Sequence, residues 1–328
     1  MIITRTPFRI PLGGGGTDLP SYASRFGGFV VGAAIDKYLY ITLNPRVVDD
    51  RLWISYSQVE VVDRPQQIHH GLVREALQLL GVTQGVEIHS IAEVVGGTGM
   101  GSSAGYTVGL LNALHTFCRK PTAAKDLAEE AYHIEVERLG HPSGKQDQYL
   151  VAFGGITCLH IETNGQVRVE PLRLSSPTLE RLEQGLMLWY TGVQRPSAEI
   201  LQEQSSGAAS GDGRVVEQMH EIKRIGLAIR GALEQGRLEE FGRLLDAHWQ
   251  AKRRISAKMS NGWLDECYAE ARRLGVLGGK LMGAGGGGFF LFCCPGDKQP
   301  LRQRLTELGL RELRFRFDFS GTQVVAQF

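Results

Sequence analysis

Three clusters of glycine constrain this chain more than any other feature of its sequence. They lie at residues 13–16, 96–101 and 283–288, within a chain of 328 residues that contains 42 glycines. Glycine tolerates positive φ and lets the backbone approach a ligand closely. Three such clusters, far apart in the sequence, predict three loops around one ligand. Tight turns in an ordinary α/β fold are the alternative.

Charge and cysteine content narrow the class of protein. The net charge is +1, so no global field attracts nucleic acid or an anionic membrane, and we expect neither partner. No apolar stretch reaches the ~20 residues that span a bilayer, and the N-terminus lacks the apolar core of a signal peptide. The five cysteines fit no disulfide or zinc spacing. A cytoplasmic protein with reduced thiols is therefore expected.

Hydrophobic patterning predicts alternating strands and helices without an internal repeat. In the first half we expect strands at 2–10, paired strands over 29–43, strands at 51–62 and 86–91, helices at 70–80 and 122–139, and short strands over 154–172. The second helix would begin at Thr122 as N-cap and stop at Gly140. In the second half we expect a strand at 186–190, a mobile loop at 204–213, and helices at 214–235, 238–258, 262–274 and near 298–308.

The polar, turn-rich stretch 173–185 is a candidate domain boundary. A chain of this length is long enough for two packed domains. We therefore expect two α+β domains, residues 1–180 and 181–328, with a cleft between them. The helices of the second half are compatible with either a monomer or a homodimer.

The second glycine cluster continues directly into a helix-like segment. Its backbone N–H groups can point at one anion, and the helix N-terminus adds partial positive charge. It is not a Walker A loop, because no lysine follows the last glycine. A serine-rich helix cap is the alternative. The predicted phosphate-binding residues are Gly97, Thr98, Gly99, Met100, Gly101, Ser102 and Ser103.

With its neighbours in the chain, this loop resembles the second motif of the GHMP kinases, the family of galactokinase, homoserine kinase, mevalonate kinase and phosphomevalonate kinase. Met100 replaces the usual leucine, and the motif's proline is missing. Residues 6–14 (TPFRIPLGG) resemble the first motif, and residues 280–288 (KLMGAGGGG) resemble the third. The resemblance covers nearly the whole chain. It implies a two-domain α+β fold, with an N-terminal domain like ribosomal protein S5, a ferredoxin-like C-terminal domain, and an active site between them.

The resemblance also implies phosphoryl transfer from ATP to an alcohol, with named residues in that reaction. Asp147, in Gly-Lys-Gln-Asp-Gln, matches the aspartate that contacts the reacting hydroxyl and can accept its proton. Arg9 matches the arginine near the transferred phosphate, and its guanidinium remains charged. The alternatives are a loop carboxylate that caps a turn and an ion pair at the end of a strand.

A magnesium site is implied by the same resemblance. Glu135 lies twelve residues before Asp147, the spacing of the family's Mg²⁺ ligand in galactokinase-like members. With Ser102 it would supply the hard oxygen ligands that Mg²⁺ prefers. Glu137 is the competing carboxylate, but it points to a different helix face. The predicted cofactors are therefore ATP and Mg²⁺.

The substrate side is predicted from the first and third glycine clusters and from nearby cations. Asp18, nine residues after Arg9, is expected to bind sugar hydroxyls, although it could instead close a glycine turn. The predicted substrate-binding residues are Gly15, Gly16, Thr17, Asp18, Lys145, Arg195, Gly285 and Gly286. Lys145, Arg195, Arg25 and Lys37 are the candidates for a phosphate already carried by the sugar. The third cluster could serve only close strand packing.

Several local stretches resemble a narrower group, the D-glycero-D-manno-heptose 7-phosphate kinases. They are residues 13–20 (GGGGTDLP), 70–77 (HGLVREAL), 144–149 (GKQDQY) and 190–195 (YTGVQR). The resemblance implies phosphorylation of the anomeric hydroxyl of that sugar for lipopolysaccharide or capsule. Pro142-Ser143-Gly144 is more similar to mevalonate and phosphomevalonate kinases. L-Fucose kinase, galactokinase, another anomeric sugar kinase, a sugar sensor without turnover and a purely structural protein are the alternatives.

Overall fold

The computed structural model describes residues 1–194 and 197–328, apart from the side chains of 197, 198 and 257. Its helices and strands are β1 (Ile2–Gly13), α1 (Pro20–Phe26), β2 (Gly28–Pro45), β3 (Leu52–Ser55), β4 (Val59–Val62), α2 (Gly71–Leu79), β5 (Val86–Ala92), α3 (Ser102–Phe117), α4 (Ala124–Tyr132), α5 (Gln146–Phe153), β6 (Ile156–Ile161), β7 (Val167–Pro171), α6 (Ser176–Gly185), β8 (Leu186–Tyr190), α7 (Ser197–Ser210), α8 (Gly213–Glu234), α9 (Leu238–Arg253), α10 (Gly262–Arg273), β9 (Gly278–Leu281), β10 (Phe289–Cys293), α11 (Gln299–Glu307), β11 (Arg311–Leu313) and β12 (Gln323–Gln327).

The structure contains two β-sheets, and helices pack against each of them. The larger sheet has the order β12-β1-β2-β5-β3-β4, and β6 and β7 branch from β2. Its pairs are antiparallel except for β3 and β5. The smaller antiparallel sheet has the order β11-β8-β10-β9. This arrangement is the α+β fold expected from the sequence.

The strands of the two sheets come from opposite sides of residue 180, with one exception. β12, near the C-terminus, pairs with the outer edge of β1 in the larger sheet. The chain thus returns to its first sheet after completing the second one. The division into residues 1–180 and 181–328 stays a prediction, and any such division leaves β12 on the far side of its own sheet.

The segment 29–43 is one strand, where the sequence pattern predicted a pair. β2 runs for 18 residues without a turn, and β1 pairs with it from Val31 to Leu43. Its first half also pairs with β6 and its second half with β5. The β-branched and aromatic pattern was read correctly as strand, but the pairing partners lie elsewhere in the sequence.

Two segments predicted as turn or loop are helices. Residues 176–185 form α6, and the Ser175 hydroxyl caps it by accepting from Thr178 N at 3.3 Å. Residues 204–210 continue α7, which buries Ile200, Gln204 and Ala208 as one stripe. The spacing of four residues is helical, and the many small residues hid it because they carry little hydrophobic signal.

The helix predicted over 122–139 is present as α4 followed by a π-helical stretch, His133–Arg138. Ala123, not Thr122, occupies the N-cap position, because the Thr122 hydroxyl donates to the backbone oxygen of Lys120 instead. Gly140 follows the last turn with φ +70°, as predicted for a helix stop. All five cysteines are free thiols. None of the helices described has an apolar run that could cross a bilayer.

The second and third glycine clusters touch each other, which explains part of their composition. A Cβ on Gly99 would lie 2.8 Å from the Met282 carbonyl oxygen, and one on Gly283 would lie 2.6 Å from the Gly99 Cα. Both glycines also have positive φ, +80° and +61°. Only glycine permits this backbone-to-backbone contact. The two loops therefore form one continuous wall at the junction of the sheets.

Candidate active site

A cavity of about 420 Å³ lies where the three glycine clusters converge. One wall is formed by residues 96–103, called the phosphate loop after the role predicted for it from the sequence, with the start of α3. A second wall comes from Gly15 and Gly16 and from residues 141–147. A third comes from α9, β9 and the loop after β9. This arrangement, with three distant glycine loops around one cavity, agrees with the sequence prediction of three loops around one ligand.

Arg9 and Asp147 meet at the base of the cavity. Arg9 on β1 is 3% exposed, and its Nε and Nη2 donate to the two carboxylate oxygens of Asp147 at 2.7 and 2.6 Å. Its Nη1 donates to the Gly99 carbonyl at 2.6 Å, and its backbone N–H donates to the Met100 carbonyl at 3.2 Å. Such a bidentate, charge-assisted pair fixes both planes. Arg9 therefore orients the carboxylate and supports the phosphate loop at once.

The phosphate loop presents backbone to the cavity and directs two of its side chains away from it. Gly97, Gly99 and Gly101 all line the cavity with φ between +75° and +80°. The Thr98 hydroxyl donates to the Val95 carbonyl, and the Met100 side chain is fully buried. Thr98 and Met100 thus contribute to the loop's own packing, and only their backbone remains for an anion.

The N-terminus of α3 adds two hydroxyls and a partial positive charge at this wall. Ser102 and Ser103 both line the cavity, directly after Gly101 at the N-cap position. The first turn of a helix leaves backbone N–H groups without intrahelical partners, and the helix dipole favours a negative group there. The arrangement would suit a phosphate chain, and the role of these residues in binding one stays a prediction.

Glu135 is buried beside these serines. It lies in the π-helical stretch after α4, is 3% exposed, and accepts from Ser103 Oγ at 2.5 Å and from Gln148 Nε2 at 3.1 Å. Burial raises the pKa of its carboxyl to about 7. Glu137 is exposed and accepts from His133. Glu135 is therefore the carboxylate that faces the cavity, and its serine partner is Ser103; Ser102 lines the same cavity.

These donors fit a magnesium ion by their chemistry. Mg²⁺ binds one or two carboxylate or hydroxyl oxygens and fills its remaining positions with water and phosphate oxygens. Glu135 supplies a buried carboxylate, and the serine hydroxyls stand beside the loop that would hold phosphates. A cation here would also favour the ionised form that burial disfavours. In the part of the chain described, no cluster of three or more His, Cys, Asp or Glu side chains forms a denser metal site.

Asp18 links the first glycine cluster to the segment that carries Asp147. Its Oδ1 accepts from Gly16 N and Gln146 Nε2, at 3.0 and 3.1 Å, and its Oδ2 accepts from Gln146 N at 3.0 Å. Burial raises the pKa of its carboxyl, and it does not line the cavity. Its position corrects the prediction of direct sugar contact, because the hydrogen bonds direct the carboxylate into the protein. Gly15 and Gly16 line the cavity, and their binding of substrate stays a prediction.

Thr17 is also structural. Its hydroxyl donates to the backbone oxygens of Gly14 and Phe29, at 2.8 and 2.9 Å, and the residue is fully buried. In the third cluster, Gly283 and Ala284 line the cavity, whereas Gly285 and Gly286 pack on Met259. The predicted glycine loops are present, but the residues that face the cavity are shifted along the chain.

The predicted cations for a substrate phosphate lie elsewhere. Lys145 donates to the Glu129 carboxylate, at 2.6 and 2.8 Å, and its ammonium lies over the Tyr132 ring, outside the cavity. The start of α5 turns it away from Asp147, which Arg9 pairs with instead. Arg25 donates to the Ala208 carbonyl, and Lys37 pairs with Asp36. Arg195 lies outside the described residues.

Three basic side chains that sequence reasoning missed line the third wall. His248 and Lys252 lie one turn apart on α9, and Lys280 lies on β9. They are 1%, 8% and 2% exposed, and we call them the basic cluster. One signal was available, because Lys280 is a lone charge in a wholly buried strand directly before the third glycine cluster.

Burial and mutual repulsion disfavour positive charge throughout the basic cluster. Burial, followed by the nearby Arg9, lowers the pKa of Lys252 to about 8. Burial, then Lys252 and Arg9, lowers the pKa of Lys280 well below its usual value. The pKa of His248 falls well below 6.5 for the same reason, with both lysines as neighbours. The imidazole is therefore neutral at physiological pH.

Comparison with protein families gives two matches along this chain. Residues 68–155 match the N-terminal domain of the GHMP kinases, and residues 229–309 match their C-terminal domain. The D-glycero-alpha-D-manno-heptose 7-phosphate kinase of Campylobacter jejuni serotype O:2 is 31% identical over 98% of this chain and 97% of its own length. An L-fucokinase/L-fucose-1-P guanylyltransferase of Bacteroides fragilis is 27% identical over 92% of this chain, which matches only 36% of that protein.

Solved structures agree with these matches. A putative sugar kinase from Campylobacter jejuni is similar with a TM-score of 0.78 and 27% identity, covering 98% of this chain and 97% of the other. A D-glycero-D-manno-heptose 1-phosphate kinase from Bacteroides thetaiotaomicron has the same fold, with a TM-score of 0.82 at 24% identity over both full chains. With its three glycine loops around one cavity, and near full-length similarity to a member enzyme, this chain belongs to the GHMP kinase family.

Proposed function

We propose that this protein transfers the γ-phosphoryl group of ATP to the anomeric hydroxyl of D-glycero-D-manno-heptose 7-phosphate, giving the 1,7-bisphosphate. The observation that carries the proposal is the Arg9–Asp147 pair in a cavity that the phosphate loop also lines. The choice of sugar is supported by the 31% identical relative, whose name states that substrate. The product would serve bacterial lipopolysaccharide or capsule synthesis.

Asp147 is proposed as the general base. Its carboxylate is held by Arg9 and lines the cavity, with a fifth of its side chain exposed. It would accept the proton of the anomeric hydroxyl as that oxygen bonds to the γ-phosphorus, while the bond from the γ-phosphorus to the β–γ bridging oxygen breaks and ADP leaves. Alignment of the two reacting oxygens supplies most of the catalysis in such transfers.

Arg9 and the phosphate loop would offset the negative charge that spreads over the transferred group. Arg9 donates to Asp147 and to the Gly99 carbonyl, which supports a place for it between the proposed base and the phosphate loop. The backbone N–H groups at Gly97, Gly99 and Gly101 and the hydroxyls of Ser102 and Ser103 would hold the phosphates of ATP. Preorganised donors of this kind need no rearrangement during the reaction.

Glu135, with a serine hydroxyl from Ser102 or Ser103, would hold Mg²⁺. Mg²⁺ held there would offset part of the negative charge of the ATP phosphates. The hydrogen bonds from Ser103 and Gln148 fix the carboxylate at the cavity wall. Gly15 and Gly16 would contact the sugar through their backbone, and Asp18 would position that loop against Gln146.

The experiment that tests this function is ADP release with ATP, Mg²⁺ and a panel of acceptors. The panel contains D-glycero-D-manno-heptose 7-phosphate, the unphosphorylated heptose, mannose, L-fucose, galactose and mevalonate. We expect a kcat/KM for the heptose phosphate that exceeds every other acceptor by about two orders of magnitude or more. The site of phosphorylation is then read from the ³¹P and ¹³C spectra of the product.

L-Fucose is the second candidate acceptor, because the fucokinase of Bacteroides fragilis matches most of this chain. A preference for L-fucose would retain the kinase and reject the heptose. Turnover of no sugar, with ATP binding intact, would contradict the proposed activity itself.

A further inference from the structure

The basic cluster has cations but no acidic partner. Burial and neighbouring cations lower the pKa values of Lys252 and Lys280. No carboxylate among the described residues offsets that effect for either lysine. Lys252 donates to the Gly283 carbonyl, and both nitrogens of His248 are buried with no partner among the residues that the structure describes. Buried charges and polar groups are normally paired, because leaving them unpaired costs several kcal/mol. This cluster therefore has the composition of a site whose partner is an anion.

The anion would have to enter from the cavity. All three side chains of the cluster line the cavity, and two ammonium groups with one imidazole offer several donors from one wall. A carboxylate carries a single negative charge, so it would leave the positive charge of one lysine uncompensated. A phosphate monoester is close to a dianion near neutral pH, with three acceptor oxygens. Two lysines and a neutral histidine that donates one N–H match that charge and that number of acceptors.

The basic cluster belongs to different elements from the residues proposed to hold the phosphates of ATP. The nucleotide's phosphates already have a cradle, in the loop 96–103 and the N-terminus of α3. The basic cluster comes instead from α9 and β9, where Lys252 contacts the loop after β9 and both lysines lie near Arg9. The sugar must lie against Asp147 with its anomeric hydroxyl. Its C7 phosphate, on the two-carbon arm beyond the ring, then lies one sugar ring away from that carboxylate.

We propose that His248, Lys252 and Lys280 bind the phosphate group that the sugar substrate already carries, and so select a phosphorylated sugar over its free form. This inference rests on the proposed function for the identity of the sugar. It replaces Lys145, Arg25 and Lys37, whose side chains are held outside the cavity. A buried site built for a charged group rejects a ligand that lacks the group, because its own charges would stay unpaired.

The kinetic test compares Lys280→Met and Lys252→Met with the wild-type chain on two acceptors, the heptose 7-phosphate and the same heptose without phosphate. Methionine has a similar volume and no charge. We expect each variant to lose kcat/KM on the phosphorylated sugar on the order of 10²-fold, mainly through KM. Activity on the free heptose should be unchanged or higher. Lys223→Met is the matched control, since Lys223 is half-buried and donates to the Phe26 and Gly27 carbonyls, away from the cavity.

The thermal midpoints distinguish the expected loss of activity from a loss caused by unfolding. Removing a buried charge that has no acidic partner relieves a desolvation penalty, so the thermal midpoints of the two variants should be equal to or above that of the wild type. Equal losses on both acceptors would overturn the proposal and assign the cluster to the transferred phosphoryl group. The absence of any loss would overturn it as well.

A binding measurement separates failure of this site from failure of the proposed function. The nucleotide site is first saturated with a non-hydrolysable ATP analogue and Mg²⁺, and inorganic phosphate is then titrated while the thermal midpoint is followed. We expect phosphate to raise the midpoint of the wild type and of Lys223→Met, but not of Lys280→Met. If this holds while no heptose is turned over, the anion site stands and the proposed substrate falls. If phosphate stabilises all three proteins equally, the anion site is rejected.

Discussion

Arg9 donates hydrogen bonds to both carboxylate oxygens of Asp147, although the two residues are 138 positions apart in the chain. The same guanidinium donates to the Gly99 carbonyl in the phosphate loop. One buried cation thus fixes the proposed base relative to the proposed phosphate cradle. An identical bidentate geometry occurs on the surface between Arg46 and Asp49, with Nε–Oδ1 and Nη2–Oδ2 distances of 2.7 and 2.6 Å. That surface pair provides matched controls.

Asp147→Asn should abolish proton acceptance and leave the fold intact. The amide keeps an oxygen for Arg9 but cannot act as a base, so we expect kcat to fall by about two to four orders of magnitude, with ATP affinity roughly unchanged. Steady-state ADP release and calorimetric titration of ATP measure the two quantities. Asp49→Asn, in the surface pair, should change neither. Turnover close to that of the wild type in Asp147→Asn would exclude Asp147 as the base.

Arg9→Lys should keep the charge and lose the planar fork. Lysine cannot donate to both oxygens of Asp147 and to Gly99 at once, so we expect kcat to fall by about 10²-fold. Arg46→Lys is the control at the surface. The measurement is kcat at saturating ATP and sugar. If kcat is retained, charge alone is sufficient at this position and the bidentate geometry is irrelevant to catalysis.

Glu135→Gln should raise the Mg²⁺ requirement. Glutamine preserves the volume and the hydrogen bonds with Ser103 and Gln148 but removes the anionic ligand, so we expect the half-saturating Mg²⁺ concentration to rise at least about tenfold. Glu137→Gln is the control, because Glu137 is 58% exposed in its side chain and paired with His133. The titration is activity against free Mg²⁺ at fixed ATP. A larger effect in Glu137→Gln than in Glu135→Gln would reverse the assignment.

Activity on a phosphorylated sugar should decline at alkaline pH, because Lys252 loses its proton there. Its pKa is lowered to about 8, so the cation is present below that pH and lost above it. We expect kcat/KM, which reports the free enzyme, to fall above about pH 8, and this limb to be absent in Lys252→Met. Lys280, Arg9 and the neutral His248 are the other basic groups that face it. A pH profile that is the same in both proteins would contradict the assignment.

The contribution of Lys252 to the stability of the folded chain should rise over the pH range in which the activity falls. Because the pKa of Lys252 in the folded chain lies below the ordinary lysine value of 10.5, the unfolded chain binds more protons between about pH 8 and 10.5. This residue's contribution to the free energy of unfolding therefore rises with pH across that window. Denaturant unfolding of the wild type and Lys252→Met should show a difference that is largest below about pH 8 and shrinks above it.

Gly99→Ala should disrupt the nucleotide site without unfolding the chain. The new Cβ would lie 2.8 Å from the Met282 carbonyl oxygen at a positive φ, so the loop must move. We expect ATP affinity to fall at least about tenfold. Gly81→Ala has a similar φ, +68°, but no atom within 4 Å of the new Cβ, so it controls for backbone strain alone. Equal ATP affinities in the two variants would show that the contact is unimportant.

Much of this site could be predicted from the sequence because its motifs are local. The phosphate loop, Arg9 and Asp147 belong to short patterns whose meaning does not depend on distant packing. The basic cluster is different, since His248 and Lys252 become cavity residues only when α9 packs beside β9. Lys145 shows the reverse error. Its nearness to Asp147 in sequence suggested nearness in space, but the turn into α5 directs the two side chains apart.

The same limit applies to the fold. Strand character in 29–43 followed from β-branched and aromatic residues, but a partner's identity is not written in a strand's own composition. The helix α7 was missed because its buried stripe includes glutamine and alanine, which carry little hydrophobic contrast. The return of β12 to β1 is a long-range pairing with no local signal.

The contact between Gly99 and Gly283 has a mechanical consequence. It joins the nucleotide cradle to the strand β9 with backbone alone, so there are no side-chain rotamers to absorb displacement. A displacement of β9 relative to residues 96–103 would therefore be transmitted through backbone contact, so we expect the two loops to move as one unit.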